Sequence, residues 1–190
     1  IVAIHGVSLL SGGVSNVRPL ELTLKKKTHV LVSGPNGIGK STFLESIARG
    51  ETSIASILPG VRVGYYRQDF STLDFEKTVF ETLFASLPEK NKELVYKTAA
   101  RFLLPASLLQ NRVSSLSEGQ KGLLLFATLF LEEPDLLILD EPTNHINFRH
   151  LPVIAEALDR YRGTLILVSH DFQFVSQIRI DEVIDLETLQ

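Results

Sequence analysis

Along the chain, short continuous apolar runs alternate with stretches whose apolar residues recur at helical spacing. The runs at 28–33, 61–66, 136–139 and 164–168 are rich in Val, Ile and Leu, the pattern of strands covered on both faces of a parallel sheet. Between them, Phe43, Leu44, Ile47 and Ala48 fall on one face of a helix predicted to begin near Lys40. Residues 75–87 and 92–104 also read as helices, each closed by a proline, Pro88 and Pro105. Residues 121–132 are apolar almost all round, which predicts a helix buried on most sides and stopped by Pro134 and Asp135. A further helix is predicted over 148–160, then a short helix and a last strand over 182–186. At the start, residues 1–4 and 20–24 read as strands around the turn-forming Ser11-Gly12-Gly13, and Lys25-Lys26-Lys27 as a solvated hairpin turn. Strands alternating with helices predict an α/β sheet wound by crossovers, with residues 71–116 as a small helical insert.

The junction between the 28–33 strand and its helix carries the most specific chemistry. Gly34-Pro35-Asn36-Gly37-Ile38-Gly39-Lys40-Ser41 fits G-x-x-x-x-G-K-[ST], and it lies between a strand and a helix, the context in which the pattern means a phosphate-binding loop. Glycines let the backbone curl so that amide N–H groups point inward, and the helix adds its positive end. Lys40 supplies a mobile charge for the outer phosphates, and the Ser41 hydroxyl suits Mg²⁺. Thr42 completes the nucleotide-binding set. The alternative is a tight glycine turn with no ligand.

Composition narrows the classes of partner. An apolar content of 44% over 190 residues can bury a core and fits one domain, and a net charge of -3 offers no basic nucleic-acid footprint. With no cysteine, disulfides and thiolate metal sites are excluded, which fits a cytoplasmic setting. The longest apolar run, 123–131, is about half of what spans a bilayer, so no membrane insertion is expected. The chain starts at Ile1 and contains no methionine, which suggests an internal cut in something longer.

Three polar groups follow apolar strands and so belong at one edge of a parallel sheet: the glycine loop, Asp140-Glu141 and His170. Asp140 suits a Mg²⁺ contact, and Glu141 suits the orientation or deprotonation of a water aimed at a γ-phosphate. Two acids after a strand can instead cap a helix. A lone histidine is often a capping residue, and Gln68 at a strand end can merely satisfy loop backbone.

Taken together these motifs resemble the nucleotide-binding domain of an ABC ATPase over nearly the whole chain. On that resemblance the segment 34–41 matches Walker A, Gln68 the Q-loop glutamine that also approaches the metal, and 116–120 the signature. The strand 136–140 matches Walker B, Glu141 the catalytic glutamate and His170 the switch histidine. The run Glu141-Pro142-Thr143-Asn144-His145 is similar to the ABC-F class, with which Lys121 and Val168-Ser169-His170-Asp171 agree. The resemblance implies a P-loop NTPase fold of ABC type. A mostly parallel core sheet would come from 1–70 and 117–190, with an N-terminal antiparallel β subdomain and a helical subdomain over 71–116. It implies ATP and Mg²⁺ as ligands, a second ABC domain in the same chain or a homodimer, and the ribosome as partner. Ser117, Gly119 and Gln120 would then face the partner domain's ATP. The short span from Gln68 to Ser117 leaves no room for a long helical arm, as in an armless or second ABC domain.

Four positions depart from the class. Glu118 replaces a signature glycine and would repel a γ-phosphate unless turned outward; Leu123 stands where a basic surface residue is usual. Asn147 replaces an aspartate, which weakens communication across a dimer, and Ser11 replaces an aromatic that stacks on adenine. These departures imply slow turnover and a looser hold on the base. The competing expectations are the ATP-binding subunit of a membrane transporter and a nucleotide-dependent binding module with little turnover.

Overall fold

The computed structural model describes residues 1–11, 14–67 and 69–189, with the side chains of 10, 11 and 14–16 left undescribed. Two strands, β1 (Val2–Ser11) and β2 (Val14–Leu24), pair antiparallel, and β4 (Ala55–Ile57) adds to the other edge of β1. The register slips between Ile4 and Gly6. A Cβ at Gly6 would come within 3.1 Å of Val17 and 3.2 Å of the Arg18 carbonyl, so a side chain there would push its neighbours by a few tenths of an ångström. Five parallel strands make the main sheet: β3 (His29–Ser33), β5 (Val63–Tyr66), β6 (Leu136–Asp140), β7 (Thr164–Val168) and β8 (Glu182–Asp185), in the order β5-β6-β7-β3-β8. The crossovers carry α1 (Lys40–Arg49), α2 (Val79–Ala85), α3 (Lys92–Arg101), α4 (Glu118–Glu132), α5 (Leu151–Asp159) and α6 (Phe172–Val175).

The continuous apolar runs have a direct cause. On β6, Leu136 and Ile138 face one core, with Phe43, Leu44 and Ile47 of α1 and the antiparallel sheet, while Leu137 and Leu139 face the other, with α2 to α5. A strand covered on both faces has no position for a polar residue until it ends, and Asp140 is that end. Fully burying each such leucine is worth about 1.5–3 kcal/mol, so both layers hold the sheet in register.

Several local expectations change. The short strand β4 carries no alternation by which to predict it. The helix expected over 75–87 covers only α2, because Thr78 caps it in a reciprocal box with Glu81. Helix α4 begins at Glu118 rather than Lys121, since Ser117 is its N-cap, accepting from Gln120 N while Gln120 Oε1 accepts from Ser117 N. The lysine run is a turn, but it joins strands of two different sheets rather than a hairpin. Its carbonyls are taken up by Thr164 Oγ1 (to Lys25 O) and Arg179 Nη2 (to Lys27 O). Leu123 is buried at 2% exposure, so a basic residue there would lie in the core and no surface charge is missing.

Candidate functional site: the cleft at the carboxyl ends of the central strands

Because β6, β7 and β3 are neighbours, the residues leaving them open on one edge of the sheet. The loop after β3 turns on Gly37 (φ 80°) and Gly39 (φ 111°), conformations that disfavour any side chain. Gly39 is the N-cap of α1 with no side-chain cap, and the first turn of α1 holds no acidic residue. The open N–H groups and the positive helix end therefore face the cleft uncompensated. Ile38 is buried in the core and anchors the loop. Lys40 is 8% exposed, and its Nζ donates to Gly34 O at 2.8 Å and to Pro35 O at 3.1 Å. The ammonium is thus curled into the loop, held by carbonyls that a phosphate oxygen can replace.

Asn36, Gly37, Gly39, Lys40, Ser41, Thr42, Asp140, Glu141, Asn144 and His170 line one cleft of about 490 Å³. Asp140 accepts a hydrogen bond from the Ser41 hydroxyl. Burial raises its pKa from the ordinary carboxylate value, opposed by that bond and by the Lys40 charge. A hydroxyl and a desolvated carboxylate in contact are two hard oxygen donors. That pair fits Mg²⁺, which takes one or two protein ligands and completes its shell with water and phosphate.

Glu141 follows with a left-handed backbone, φ 45°, and its N–H donates to Val168 O at 2.9 Å. Such a conformation costs a non-glycine residue about 1–3 kcal/mol. The side chain is 12% exposed: Oε1 lies 3.2 Å from His170 Nε2, and Oε2 accepts from His170 N at 3.2 Å. His170, 54% exposed at its side chain, thus holds the carboxylate from the β7 side.

The cleft therefore gathers Lys40, Ser41, Thr42, Asp140, Glu141 and His170. It does not gather Ser117, Gly119 and Gln120, which lie at the N-terminus of α4, away from its lining. Gln68 lies outside the described residues, as does the side chain of Ser11. Asn147 accepts from Arg149 N at 3.0 Å, a capping role that an aspartate would fill equally. Asn144 lines the cleft although no role attached to it in the sequence; its place in the run after Glu141 was the only signal. A cavity of about 540 Å³ opens at the opposite edge of the sheet, floored by Phe126, Leu129, Phe130 and Leu158. At its rim Arg62 is taken up by the carbonyls of Glu132 and Glu133 and by Asp135, and Arg160 by Glu156.

A glycine loop feeding an uncapped helix, with an acid at the end of the neighbouring parallel strand, defines a P-loop nucleotide-binding domain. The family described as "ABC transporter" matches residues 17–144, and the chain belongs to it. Several of its relatives are named as members of the F class. They include ABC transporter F family member 5 of Arabidopsis thaliana, 34% identical over 175 residues, 87% of this chain and 25% of that protein. The probable ATP-binding cassette sub-family F member 3 homolog of Encephalitozoon cuniculi is 35% identical over 93% of this chain and 30% of that protein. The probable ATP-binding protein YbiT of Escherichia coli O157:H7 is 36% identical over 84% of this chain and 31% of that protein. The chain thus spans between a quarter and a third of the length of these relatives. Among solved structures, a dimeric post-hydrolysis ATP-binding cassette bound to ADP and Pi covers 97% of this chain and 94% of its own at a TM-score of 0.78 and 19% identity, which establishes the shared fold. The motif sequence and these relatives agree on an ABC-F nucleotide-binding domain. Among the described residues no helix is long and apolar enough to cross a membrane.

Proposed function

We propose that this domain binds and hydrolyses ATP with Mg²⁺, closes head-to-tail on a second ABC domain when ATP is bound, and uses that closure on the ribosome. The observation that carries the reading is the convergence of Lys40, Ser41, Asp140, Glu141 and His170 in one cleft. The loop amides of 36–41 and the Lys40 ammonium hold the β- and γ-phosphates. Ser41 and Asp140 would hold Mg²⁺, with Gln68 as a further contact, and the ion supplies charge neutralisation across the phosphates when bound. The Glu141 carboxylate accepts the proton of a water whose oxygen bonds to the γ-phosphorus as the bond to the ADP oxygen breaks. His170 Nε2 keeps that carboxylate turned into the cleft. Ser117, Gly119 and Gln120 meet the partner's γ-phosphate, which accounts for their place outside the cleft.

Steady-state phosphate release tests the enzyme reading. Glu141→Gln is expected to lower turnover at least about a hundredfold, the scale of a lost general base, and to leave ATP bound. Equal release by both proteins would instead favour a nucleotide-dependent binding module. The departures at Glu118 and Asn147 set the expectation of slow turnover in the parent. Co-sedimentation of Glu141→Gln with ribosomes only in the presence of ATP tests the partner, and ATP-independent recovery would count against it.

A further inference from the structure

Two residues outside the cleft meet where the loop following Glu141 lies on α4. Glu118 is the first residue of α4, and its Oε2 is 3.1 Å from His145 Nδ1. Among the described residues His145 is the one basic side chain within 4 Å of its carboxylate; Lys121, on the same turn, has its Nζ over the Phe75 ring at 5.1 Å. The residue has two further close neighbours. Its ring meets the Phe70 ring edge-on, with centroids 5.9 Å apart, and the His145 carbonyl lies so close to Gly119 that a Cβ there would come within 3.0 Å. One residue on, Ile146 would lie 3.1 Å from a Cβ at Gly122. The loop that begins at Glu141 is therefore seated on the first two turns of α4, with His145 in that seat.

A carboxylate in the first turn of a helix is attracted to the positive helix end, the same end that favours a phosphate. Glu118 would thus compete with a partner's γ-phosphate wherever it is free to fold back. In this structure it is drawn sideways to His145 instead, with 71% of its side chain exposed.

We propose that His145 is a positioning residue for Glu118: through the close approach of its Nδ1 to Oε2 it holds the carboxylate beside the loop following Glu141. The start of α4 then stays open to the nucleotide of a second copy of the domain. The inference rests on the paired-domain reading above. It ties each domain's own acid loop to the helix end that serves the other domain's ATP.

The test is ATP- and Mg²⁺-driven pairing of the Glu141→Gln protein, measured by sedimentation velocity across a concentration series. His145→Leu fills the space against Phe70 but cannot donate, and it is expected to weaken pairing about tenfold, within the range of direct-contact couplings. His145→Gln, which keeps a donor, is expected to restore pairing to within about threefold of the parent. In a Glu118→Gly background, His145→Leu is expected to have no further effect, because no carboxylate is left to hold. A merely structural role for His145 predicts the same loss in both backgrounds, and that additivity would overturn the proposal. So would unchanged pairing in His145→Leu. If the Glu141→Gln parent itself does not pair, the paired-domain reading falls with this one, whereas additivity in a pairing parent removes this one alone. Should His145→Leu fail to fold, failure of His145→Gln to pair like the parent would likewise overturn it.

Discussion

Replacing Lys40 with alanine probes the cleft most directly, because it is the one Lys or Arg among the described residues that line it. Its Nζ makes two bonds to loop carbonyls, at 2.8 and 3.1 Å. ATP binding must exchange these for bonds to phosphate oxygens, so the gain is a difference between two kinds of charged hydrogen bond. Both kinds are charge-assisted, worth about 1.5–3 kcal/mol each, so the gain on exchange is the attraction between the ammonium and phosphate charges, at most about 4 kcal/mol for a pair about 4 Å apart near a protein surface. The exchange then contributes about 2–4 kcal/mol, or roughly a 30- to 700-fold loss of affinity in Lys40→Ala. The cost to folding is smaller, since Gly34 is half-buried and Pro35 exposed, and their carbonyls can bond to water once the ammonium is gone. A loss of about 1 kcal/mol would lower the melting temperature by about 2–4 °C in a domain of this size. Titration calorimetry with a non-hydrolysable ATP analogue and Mg²⁺ measures the first number, and calorimetric melting the second. A variant that melts cooperatively and binds the analogue within threefold of the parent would refute the phosphate role of Lys40.

Three further outcomes follow from named contacts. Burial holds Asp140 above its ordinary pKa, so ionising it costs the fold, and its stabilising contribution is present at low pH and lost as pH rises through the raised value. Asp140→Asn is accordingly expected to melt higher than the ligand-free parent at pH 8, with the advantage fading on acidification, and to lose the stabilisation given by ATP with Mg²⁺; an equal advantage at all pH values would contradict the cause. Gly64→Ala would place a Cβ 2.8 Å from Pro134 Cγ and 3.0 Å from Leu129 Cδ2, and is expected to cost about 1–3 kcal/mol in urea unfolding. An unchanged midpoint would mean that the seam between β5 and α4 yields. His29 is buried with Nδ1 and Nε2 facing the carbonyls of Arg179 and Tyr161, and burial, then the Arg179 charge, holds it below its ordinary 6.5. The unfolded chain takes up that proton first, so stability falls as pH drops through about 6.5, levelling below the folded value; His29→Gln should flatten that part of the profile.

Much of the architecture was legible because burial leaves a mark on composition. The runs ending at Ser33, Asp140 and Val168 are apolar since both faces are covered, and their polar terminators lie together because parallel strands end on one edge. What escaped prediction depends on contacts rather than patterns. The three-residue strand β4 is held by pairing with Val2, Ala3 and Ile4, which no local periodicity records. Helix α4 starts early because Ser117 and Gln120 satisfy one another's backbone, although the apolar stripe begins only at Gly122. The burial of Leu123 depends on how α4 is wrapped by α2 and α3, and the Glu118–His145 pair joins residues distant in sequence. For Asn144 the residue was visible, but its direction into the cleft was not.

If Glu141 activates water as proposed, its left-handed backbone sets thermal endurance against turnover at a single position. A library screened for heat resistance alone should drift there toward glycine or asparagine, which adopt that geometry at less expense, and would surrender water activation while still taking up ATP. Screens that demand phosphate release should hold the acid in place and accumulate their stabilising changes elsewhere.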